Sequence, residues 1–287
     1  MSGVVSVRPF ALPDLTAAAR FGDAARALDP RIEPFAQRLG LLATGPRARL
    51  DLWRVAAGED GGLYGLSFAA LRESASRPVY DFSAAVHPSL RRQGLGRALA
   101  EAALGSGAVL RARVRDDASP GIAFLRALGF AESGAQLSLQ WVGGTRLEAP
   151  PLPALRIRPA STRDAPALRL LADAAWAGAP DAFASRADEI AQLFSAEDRL
   201  VLLAASEGRP VGYLSGVNLG RTLGIEEVAV LPEFRRMGIG RALIARALEK
   251  AQSAVLSVGE SNTPGRALYR SLGFRQTARR LVMIRPV

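Results

Sequence analysis

The sequence has no cysteine and a single histidine, His87, among its 287 residues. Without cysteine there can be no disulfide, no thiol nucleophile and no cysteine-ligated metal site. One histidine excludes a metal site built from several histidines, and any serine–histidine–aspartate triad would have to use His87. Because His87 stands between Val86 and Pro88, at the end of a predicted strand, we interpret it as an ordinary loop residue and expect no metal.

Long apolar runs are also absent. No stretch of 18 uncharged apolar residues occurs, so the sequence predicts no transmembrane helix and no membrane partner. The first residues lack the ordered basic and apolar regions of a signal peptide. With 49% apolar and 22% charged residues, the composition is typical of a globular protein, and we expect a cytoplasmic location.

Lysine is nearly absent, because Lys250 is the only one, yet the chain has 37 basic and 27 acidic residues and a net charge of +10. The basic residues are spread over both halves, without a stripe in which aromatic residues alternate with them. A nucleic-acid partner is therefore not expected. We interpret the excess charge as a solvated surface that also suits an anionic ligand.

One segment occurs twice. Residues 86–104 and 230–248 lie 144 positions apart and are identical at 11 of 19 positions. The same spacing relates the Leu-Gly-Phe sequences at 128–130 and 272–274. Chance does not keep one spacing over that length, so the chain contains two copies of one domain.

Proline marks the boundary between the copies. Three of the four residues at 150–153 are proline, which forbids a helix and favours an extended connector. We therefore predict an N-terminal domain at 1–148 and a C-terminal domain at 155–287. The sequence predicts no oligomeric state.

Each copy has the same order of predicted elements. A strand and a helix come first, followed by a hairpin and a strand that enters the repeated loop. An amphipathic helix follows the loop, with Ile239, Leu243 and Ala247 on one stripe in copy two. A short strand, a second helix and closing strand residues complete the copy. This order predicts an α/β (α+β) fold.

The repeated loop has the composition of an anion site. In copy two, glycines at 238 and 240 allow backbone turns between a strand and a helix, and arginines flank them at 235, 236 and 241. Successive backbone N–H groups at such a turn, together with the helix N-terminus, bind pyrophosphate well. Neither copy has the Gly-Lys-Ser/Thr of a P-loop. Neither copy has the third glycine of a dinucleotide fingerprint, because Leu99 and Leu243 occupy that position.

These residues resemble the GNAT superfamily of acetyl-CoA-dependent N-acetyltransferases. The acyl-CoA loop pattern of that family, Gln/Arg-x-x-Gly-x-Gly/Ala, is met by Arg235, Gly238 and Gly240. A later Asn-x₆-Tyr signature is met by Asn262 and Tyr269, followed by Leu-Gly-Phe. The resemblance covers nearly the whole chain twice, in a tandem arrangement similar to that of mycothiol synthases.

The resemblance implies that each copy is a mixed, twisted sheet with helices on both faces. Two central parallel strands would separate and admit the pantetheine arm of acetyl-CoA, here at residues 228–230 and 255–258. Acetyl-CoA would be the cosubstrate. The implied acetyl-CoA-binding residues are Val228, Ala229, Val230, Arg235, Arg236, Met237, Gly238, Ile239, Gly240, Arg241 and Asn262 in copy two, with Arg91, Arg92, Gly94, Gly96 and Arg97 in copy one.

Attack of an amine on a thioester needs a base for the amine proton and an acid for the leaving thiolate. In the family a strand glutamate four residues before the valine that enters the loop often acts as the base, which here is Glu226. Strict alternation places Glu226 on the face of Val228 and Val230, and Glu227 is the alternative. Tyr269 matches the position of the family's acid. A hydroxyl with a pKa of about 10 stays protonated at neutral pH and can give its proton to the thiolate.

Copy one lacks these groups. At the same spacing, the residues in place of Glu226, Glu227, Asn262 and Tyr269 are Phe82, Ser83, Ala118 and Leu125. Copy one is therefore expected to be catalytically degenerate, and either to bind CoA or only to brace the fold. The predicted function is acetyl transfer to a primary amine, of a small molecule or a peptide. The alternatives are a protein N-terminal or lysine acetyltransferase and a non-catalytic acyl-CoA-binding regulatory protein.

Overall fold

A computed structural model describes residues 5–32, 35, 39–45, 47–73, 78–143, 152, 154–177 and 187–287. The packing divides the chain into two compact units, each a mixed α/β structure. Unit 1 comprises Met1–Ala135 with Arg279–Val287, and unit 2 comprises Gln136–Ala278.

The elements follow the order that the sequence predicts. In the first half of the chain they are β1 (Val5–Pro9), α1 (Leu15–Leu28), α2 (Leu39–Thr44), β2 (Arg54–Gly58), β3 (Leu63–Glu73), β4 (Val79–Val86), α3 (Leu95–Leu104), β5 (Val109–Arg115), α4 (Ser119–Ala127) and β6 (Ala131–Val142). In the second half they are β7 (Leu155–Pro159), α5 (Ala165–Trp176), α6 (Ala187–Gln192), β8 (Arg199–Ser206), β9 (Arg209–Leu219), β10 (Thr222–Val230), α7 (Ile239–Leu248), β11 (Ser253–Gly259), α8 (Thr263–Ser271) and β12 (Arg275–Arg285).

Each unit is built on a mixed sheet. The strand order is β1-β2-β3-β4-β5-β12 in unit 1 and β6-β11-β10-β9-β8-β7 in unit 2. The pairs β4–β5 and β10–β11 are parallel, whereas the other pairs recorded within each unit are antiparallel. Each parallel pair is joined by the repeated loop and the helix that follows it.

The closing strands of the two copies are exchanged. Residues 136–142 of β6 pair with β11 in unit 2, and Arg280–Arg285 of β12 pair with β5 in unit 1. Each closing strand thus completes the sheet formed by the strands of the other copy. The predicted ranges 1–148 and 155–287 therefore describe the repeated sequence, while the packed units are composed differently.

Helices pack on both faces of each sheet. In unit 2 the predicted stripe of α7 is buried, with Leu243 fully inaccessible, and it packs against Leu223 and Ile225 of β10. The other face packs against α5 through Tyr213 and Ala229. In the part of the chain that the structure describes, no helix is long and apolar enough to cross a membrane.

Candidate active site

In unit 2 the two parallel strands separate before they end. The pairing of β10 with β11 stops at Ile225 and Leu256, although β10 continues to Val230 and β11 to Gly259. Beyond that point, among the described residues, β10 pairs only with β9, so one edge of Val228–Val230 can bond an extended ligand. The opening between the two strands is therefore present, and it begins after Ile225 and Leu256.

Unit 1 opens in the same way. The pairing of β4 with β5 stops at Phe82 and Ala112, and β4 continues to Val86. A cavity of about 610 Å³ lies at this opening. Its lining includes Ser83–Val86, residues of β5 and α4, and the side chains of Phe35 and Phe68. The residues that the sequence assigns to CoA binding in copy one border this cavity.

The repeated loop has nearly the same backbone in both copies. The φ angles of Arg236 and Arg92 are 66° and 67°, and those of Gly238 and Gly94 are 86° and 83°. A positive φ is uncommon for arginine, and such residues concentrate at functional sites. The turns aim successive N–H groups into one concavity immediately before a helix, at Ile239 in unit 2.

The outer arginines of the loop brace it. Arg235 donates to the carbonyl oxygens of Val230 at 3.2 Å and Ala175 at 2.6 Å. Arg241 donates to the hydroxyl of Ser271 at 2.7 Å. These contacts tie the loop to β10, α5 and α8.

The arginines of unit 1 make related contacts. Arg91 donates to the carbonyl of Val86 at 3.3 Å and pairs with Asp29 at 2.8 Å, while Arg97 donates to the carbonyl of Ala127 at 3.3 Å. The hydrogen bonds of Arg31 and Arg91 hold the pKa of the buried Asp29 carboxyl well below its usual range. The loop is thus braced in both copies.

The second glycine of the loop has a packing role. A Cβ atom on Gly240 would lie 3.2 Å from Leu268 of α8, and one on Gly96 would lie 2.9 Å from the ring of Phe124 of α4. In both copies this glycine lets the two helices approach closely. By contrast, a Cβ on Gly94 would meet no atom within 4 Å, so Gly94 is needed for its backbone angle, which Gly238 shares.

A β-bulge in β10 changes the position of the first candidate base. The pairing of β10 with β9 shifts between Ile225 and Glu227, so Glu226 is the extra residue. Glu226 is exposed and forms an ion pair with Arg199. Arg199 lies two positions before Val201 on β8, so the two side chains share a face of the sheet. Val201 packs on the α5 face.

Glu226 therefore faces α5, away from Val228 and Val230, which pack on the α7 face. The predicted shared face was wrong, because one extra residue breaks the two-residue period of a strand.

The second candidate base is less exposed. Glu227 is half-buried on the α5 face of the sheet. The indole N–H of Trp176, the last residue of α5, donates a hydrogen bond to its carboxylate. Burial, and then the charge of Glu227, raise the pKa of the Tyr213 hydroxyl far above its ordinary value.

The candidate acid, Tyr269, also lies in unit 2. Tyr269 lies on α8, and its ring packs edge-on against Phe274 with centroids 5.7 Å apart. Burial raises the pKa of Tyr269 from 10.0 to about 12, so the hydroxyl is protonated at neutral pH. The Oδ1 atom of Asn262 accepts from the N–H of Gly265 at 2.9 Å and caps α8, which fixes the start of the helix that carries Tyr269.

The counterparts in unit 1 are core residues. Phe82 and Leu125 are buried in one apolar cluster, and Phe82 stacks on Phe130 with centroids 6.1 Å apart. Ala118 precedes α4 without a side-chain cap. Strand β4 has regular pairing through Phe82 and Ser83, without the bulge of β10.

Three residues around the carboxylates were not predicted from the sequence: Arg199, Tyr213 and Trp176. Two of them lie in apolar strands and the third at a helix end, and no spacing relates them to the loop. The bulge turns Glu226 toward Arg199, and the packing of α5 on the sheet brings Trp176 to Glu227. Among the described residues, no three histidine, aspartate or glutamate side chains gather as metal ligands would.

Comparisons with known proteins agree with this geometry. A profile of the acetyltransferase (GNAT) family matches residues 167–274. The chain is 33% identical over 283 residues to a mycothiol acetyltransferase of Salinispora arenicola, covering 91% of this chain and 88% of the relative. This chain belongs to the GNAT acetyltransferase family. It is an N-acetyltransferase built from two tandem GNAT-like domains.

Two further matches cover different shares of this GNAT chain. It is 28% identical over 101 residues to the peptidyl-lysine N-acetyltransferase YjaB of Salmonella typhimurium, covering 34% of this chain and 66% of the relative. A solved tandem GNAT protein from the clavulanic acid biosynthesis pathway matches with a TM-score of 0.74 and 20% identity over 98% of both chains. The last match shows that the whole fold, with both units, occurs in a known structure.

Proposed function

We propose that unit 2 transfers the acetyl group of acetyl-CoA to a primary amine of a small molecule. The observation that carries the proposal is the presence, in one unit, of an opened strand pair, the braced loop, a protonated tyrosine and two strand carboxylates. Unit 1 has the opening and the loop, but neither the tyrosine nor the carboxylates.

Acetyl-CoA would be held mainly by backbone groups. The N–H groups of residues 235–241 would bind its pyrophosphate, and the free edge of Val228–Val230 would bond its pantetheine arm and polarise the acetyl carbonyl. Asn262 would support this arrangement by ordering the start of α8. Hydrogen bonds from the backbone cost no side-chain reorganisation, which suits a site that must bind and release CoA in every cycle.

The chemistry needs one proton acceptor and one proton donor. The amine nitrogen attacks the acetyl carbon, and a carboxylate of the bulge, Glu226 or Glu227, takes the amine proton. As the carbon–sulfur bond breaks, Tyr269 gives its proton to the thiolate. The raised pKa of Tyr269 keeps that proton available throughout the neutral range.

For unit 1 we propose binding of CoA or its thioester without turnover. Its cavity is bordered by Arg91, Arg92, Gly94, Gly96 and Arg97, which are the loop residues assigned to CoA binding. Phe82 and Leu125 provide no proton acceptor or donor. Unit 1 would therefore keep the binding frame of the fold after loss of the reacting groups.

A small-molecule acceptor is favoured over a protein. The relative that covers most of this chain is called a mycothiol acetyltransferase, whereas the peptidyl-lysine acetyltransferase matches about one third of it. Peptidyl lysine is the second candidate acceptor, on the strength of that partial match. The cytoplasmic location expected from the sequence stays a prediction.

The test is a screen for release of free CoA from acetyl-CoA with amines, amino acids, polyamines, aminoglycosides and peptides. We expect CoA release that depends on one amine class, with an acetylated amine detected by mass spectrometry. A control without amine measures thioester hydrolysis. CoA release that is equal with and without every amine would contradict the proposal.

A further inference from the structure

An arginine lies at the point where the parallel strands of unit 1 separate. The pairing of β5 with β4 stops at Ala112, so Arg113 is the first residue of β5 beyond the last pair. Ala112 is buried in the apolar core, and the side chain of Arg113 therefore lies on the opposite face of the sheet. That side chain is 36% exposed, and Arg113 lines the cavity at the opening.

Three arginines share one carboxylate on this face. The carboxylate oxygens of Asp81 lie 3.2, 3.9 and 4.0 Å from guanidinium nitrogens of Arg111, Arg72 and Arg113. The side chain of Arg111 is only 4% exposed. Its Nη1 atom donates to Asp81, but its buried Nη2 atom has no hydrogen-bond partner in the part of the chain that the structure describes. A buried charged donor without an acceptor is costly, so a second anion beside Asp81 would stabilise the cluster.

The cavity itself has little negative charge. Asp29 is the only acidic residue among the described residues that line it, and it is already paired with two arginines. Arg115, the next lining residue on the same face of β5, is paired with Asp117 at 2.6 Å. Asp81, which Arg113 shares with two other arginines, is not part of the lining. The β5 side of the cavity therefore presents positive charge to a ligand.

The other walls of the cavity suit a CoA thioester with an acyl chain. Arg92 and Gly94 of the loop border the cavity where the pyrophosphate is proposed to bind. The rings of Phe35 and Phe68 form an apolar wall, and Phe68 lies opposite Ser83 at the strand opening. A short acyl chain packed on these rings would lie on the face of the sheet that carries the arginines.

The arginines are not repeated in unit 2. At the 144-residue spacing, Val255 and Ser257 take the places of Arg111 and Arg113. The positions also match in the sheet, because Arg113 and Ser257 each pair with the closing strand of their unit. The same fold forms with neutral residues here, so the sheet does not require the arginines.

We propose that unit 1 binds a CoA thioester whose acyl group ends in a carboxylate, and that Arg113 binds this carboxylate with Arg111 behind it. The inference rests on the binding of CoA by unit 1 proposed above. Arg113 donates from the cavity wall, while Arg111 adds a fixed positive charge and a donor that Asp81 leaves unused. The planar fork of arginine matches the two oxygens of a carboxylate.

Calorimetric titration of the full chain tests the proposal. Gly238→Val imposes a φ of 86° on a β-branched residue in the loop of unit 2, so the CoA binding that remains in this variant belongs to unit 1. We expect it to bind succinyl-CoA about 10-fold more tightly than acetyl-CoA, because hydrogen bonds between charged groups are the strong ones. Gly94→Val, which strains the loop of unit 1, should show no such preference.

Further substitutions in the Gly238→Val chain locate the site. Arg113→Gln should lose the preference and keep the affinity for acetyl-CoA, while Arg113→Lys, which keeps a cation, should retain part of the preference. Arg115→Gln is the matched control on the same face of β5 and should keep the preference in full. Circular dichroism checks that each variant is folded.

Each outcome decides a separate point. Equal affinity of Gly238→Val for succinyl-CoA and acetyl-CoA would overturn the carboxylate site and leave CoA binding by unit 1 standing. If Gly238→Val binds neither thioester, the binding proposed for unit 1 fails and the inference fails with it. Sodium succinate bound as tightly as succinyl-CoA would assign the site to a free acid and overturn the acyl assignment. A preference lost in Arg115→Gln but kept in Arg113→Gln would overturn the role of Arg113.

Discussion

The two units have the same loop but different residues at the positions proposed to react. Arg92 and Gly94 in unit 1 have φ angles within 3° of those of Arg236 and Gly238 in unit 2. Both units also open their parallel strands after four paired positions. The loop backbone and the strand opening are therefore the same in both units, although the residues proposed to react occur only in unit 2.

The difference between the units lies in β4 and β10. Regular pairing in β4 directs Phe82 into the core, whereas the bulge in β10 turns Glu226 out of it. A buried and unpaired carboxylate is costly, and the bulge places that of Glu226 in an exposed position beside Arg199. The comparison suggests that the bulge and the carboxylates occur together, and that a strand without the bulge accommodates an apolar residue.

The largest expected effect is a difference in activity between substitutions in the loop of unit 2 and in the loop of unit 1. Valine at position 238 would have to adopt a φ of 86°, which a β-branched residue rarely does, so Gly238→Val should abolish acetyl transfer. Gly94→Val strains unit 1 equally and should preserve most of the turnover. Steady-state kinetics measure both, with folding checked by circular dichroism. Loss of activity in a folded Gly94→Val variant alone would place catalysis in unit 1.

The next effect concerns the acid. Tyr269→Phe keeps the ring against Phe274 and removes the hydroxyl, so turnover should fall by about 10²–10⁴-fold with acetyl-CoA affinity nearly intact. Leu125→Met, at the equivalent position of unit 1, is the matched control and should change turnover little. An unchanged turnover number in Tyr269→Phe would refute the assignment.

A third prediction concerns the strand without a bulge. Phe82→Glu would bury a charge in the core of unit 1 and should lower its free energy of unfolding by about 3–5 kcal/mol. Ser83→Glu, on an exposed neighbour, should change it by less than about 1 kcal/mol. Urea unfolding of both variants measures the difference. Equal tolerance of the two glutamates would show that regular pairing does not exclude a carboxylate here.

The smallest expected effect is on alkaline stability. The pKa of Tyr269 is near 10 when unfolded and about 12 when folded, so the stabilisation is complete below pH 10 and is lost as the pH rises through 12. The loss amounts to at most about 3 kcal/mol. Tyr269→Phe should remove this part of the pH dependence, as measured by urea midpoints between pH 9 and 12. A variant curve parallel to that of the wild type would contradict the raised pKa.

Much of this architecture could be predicted from the sequence. The duplication, the element order, the loop glycines and Tyr269 all leave local patterns, and the fold and family that they predicted are confirmed. The exchange of β6 and β12 could not be predicted, because strand pairing depends on contacts between distant segments.

The surroundings of the carboxylates also could not be predicted from the sequence. A bulge of one residue leaves no mark on the sequence, yet it decides which face Glu226 occupies and brings Arg199 to it. Trp176 and Tyr213 follow an apolar pattern that fits ordinary core residues. Their relation to Glu227 arises only once α5 packs on the sheet.

The central claim, that unit 2 alone transfers acetyl, is tested most directly by a single-turnover experiment. Gly94→Val and Gly238→Val are each incubated with isotope-labelled acetyl-CoA, and the amine is added together with an excess of unlabelled acetyl-CoA. We predict that label held by Gly94→Val passes to the amine in the first turnover. Any label held by Gly238→Val should dissociate unchanged, and its appearance on the amine would contradict the account.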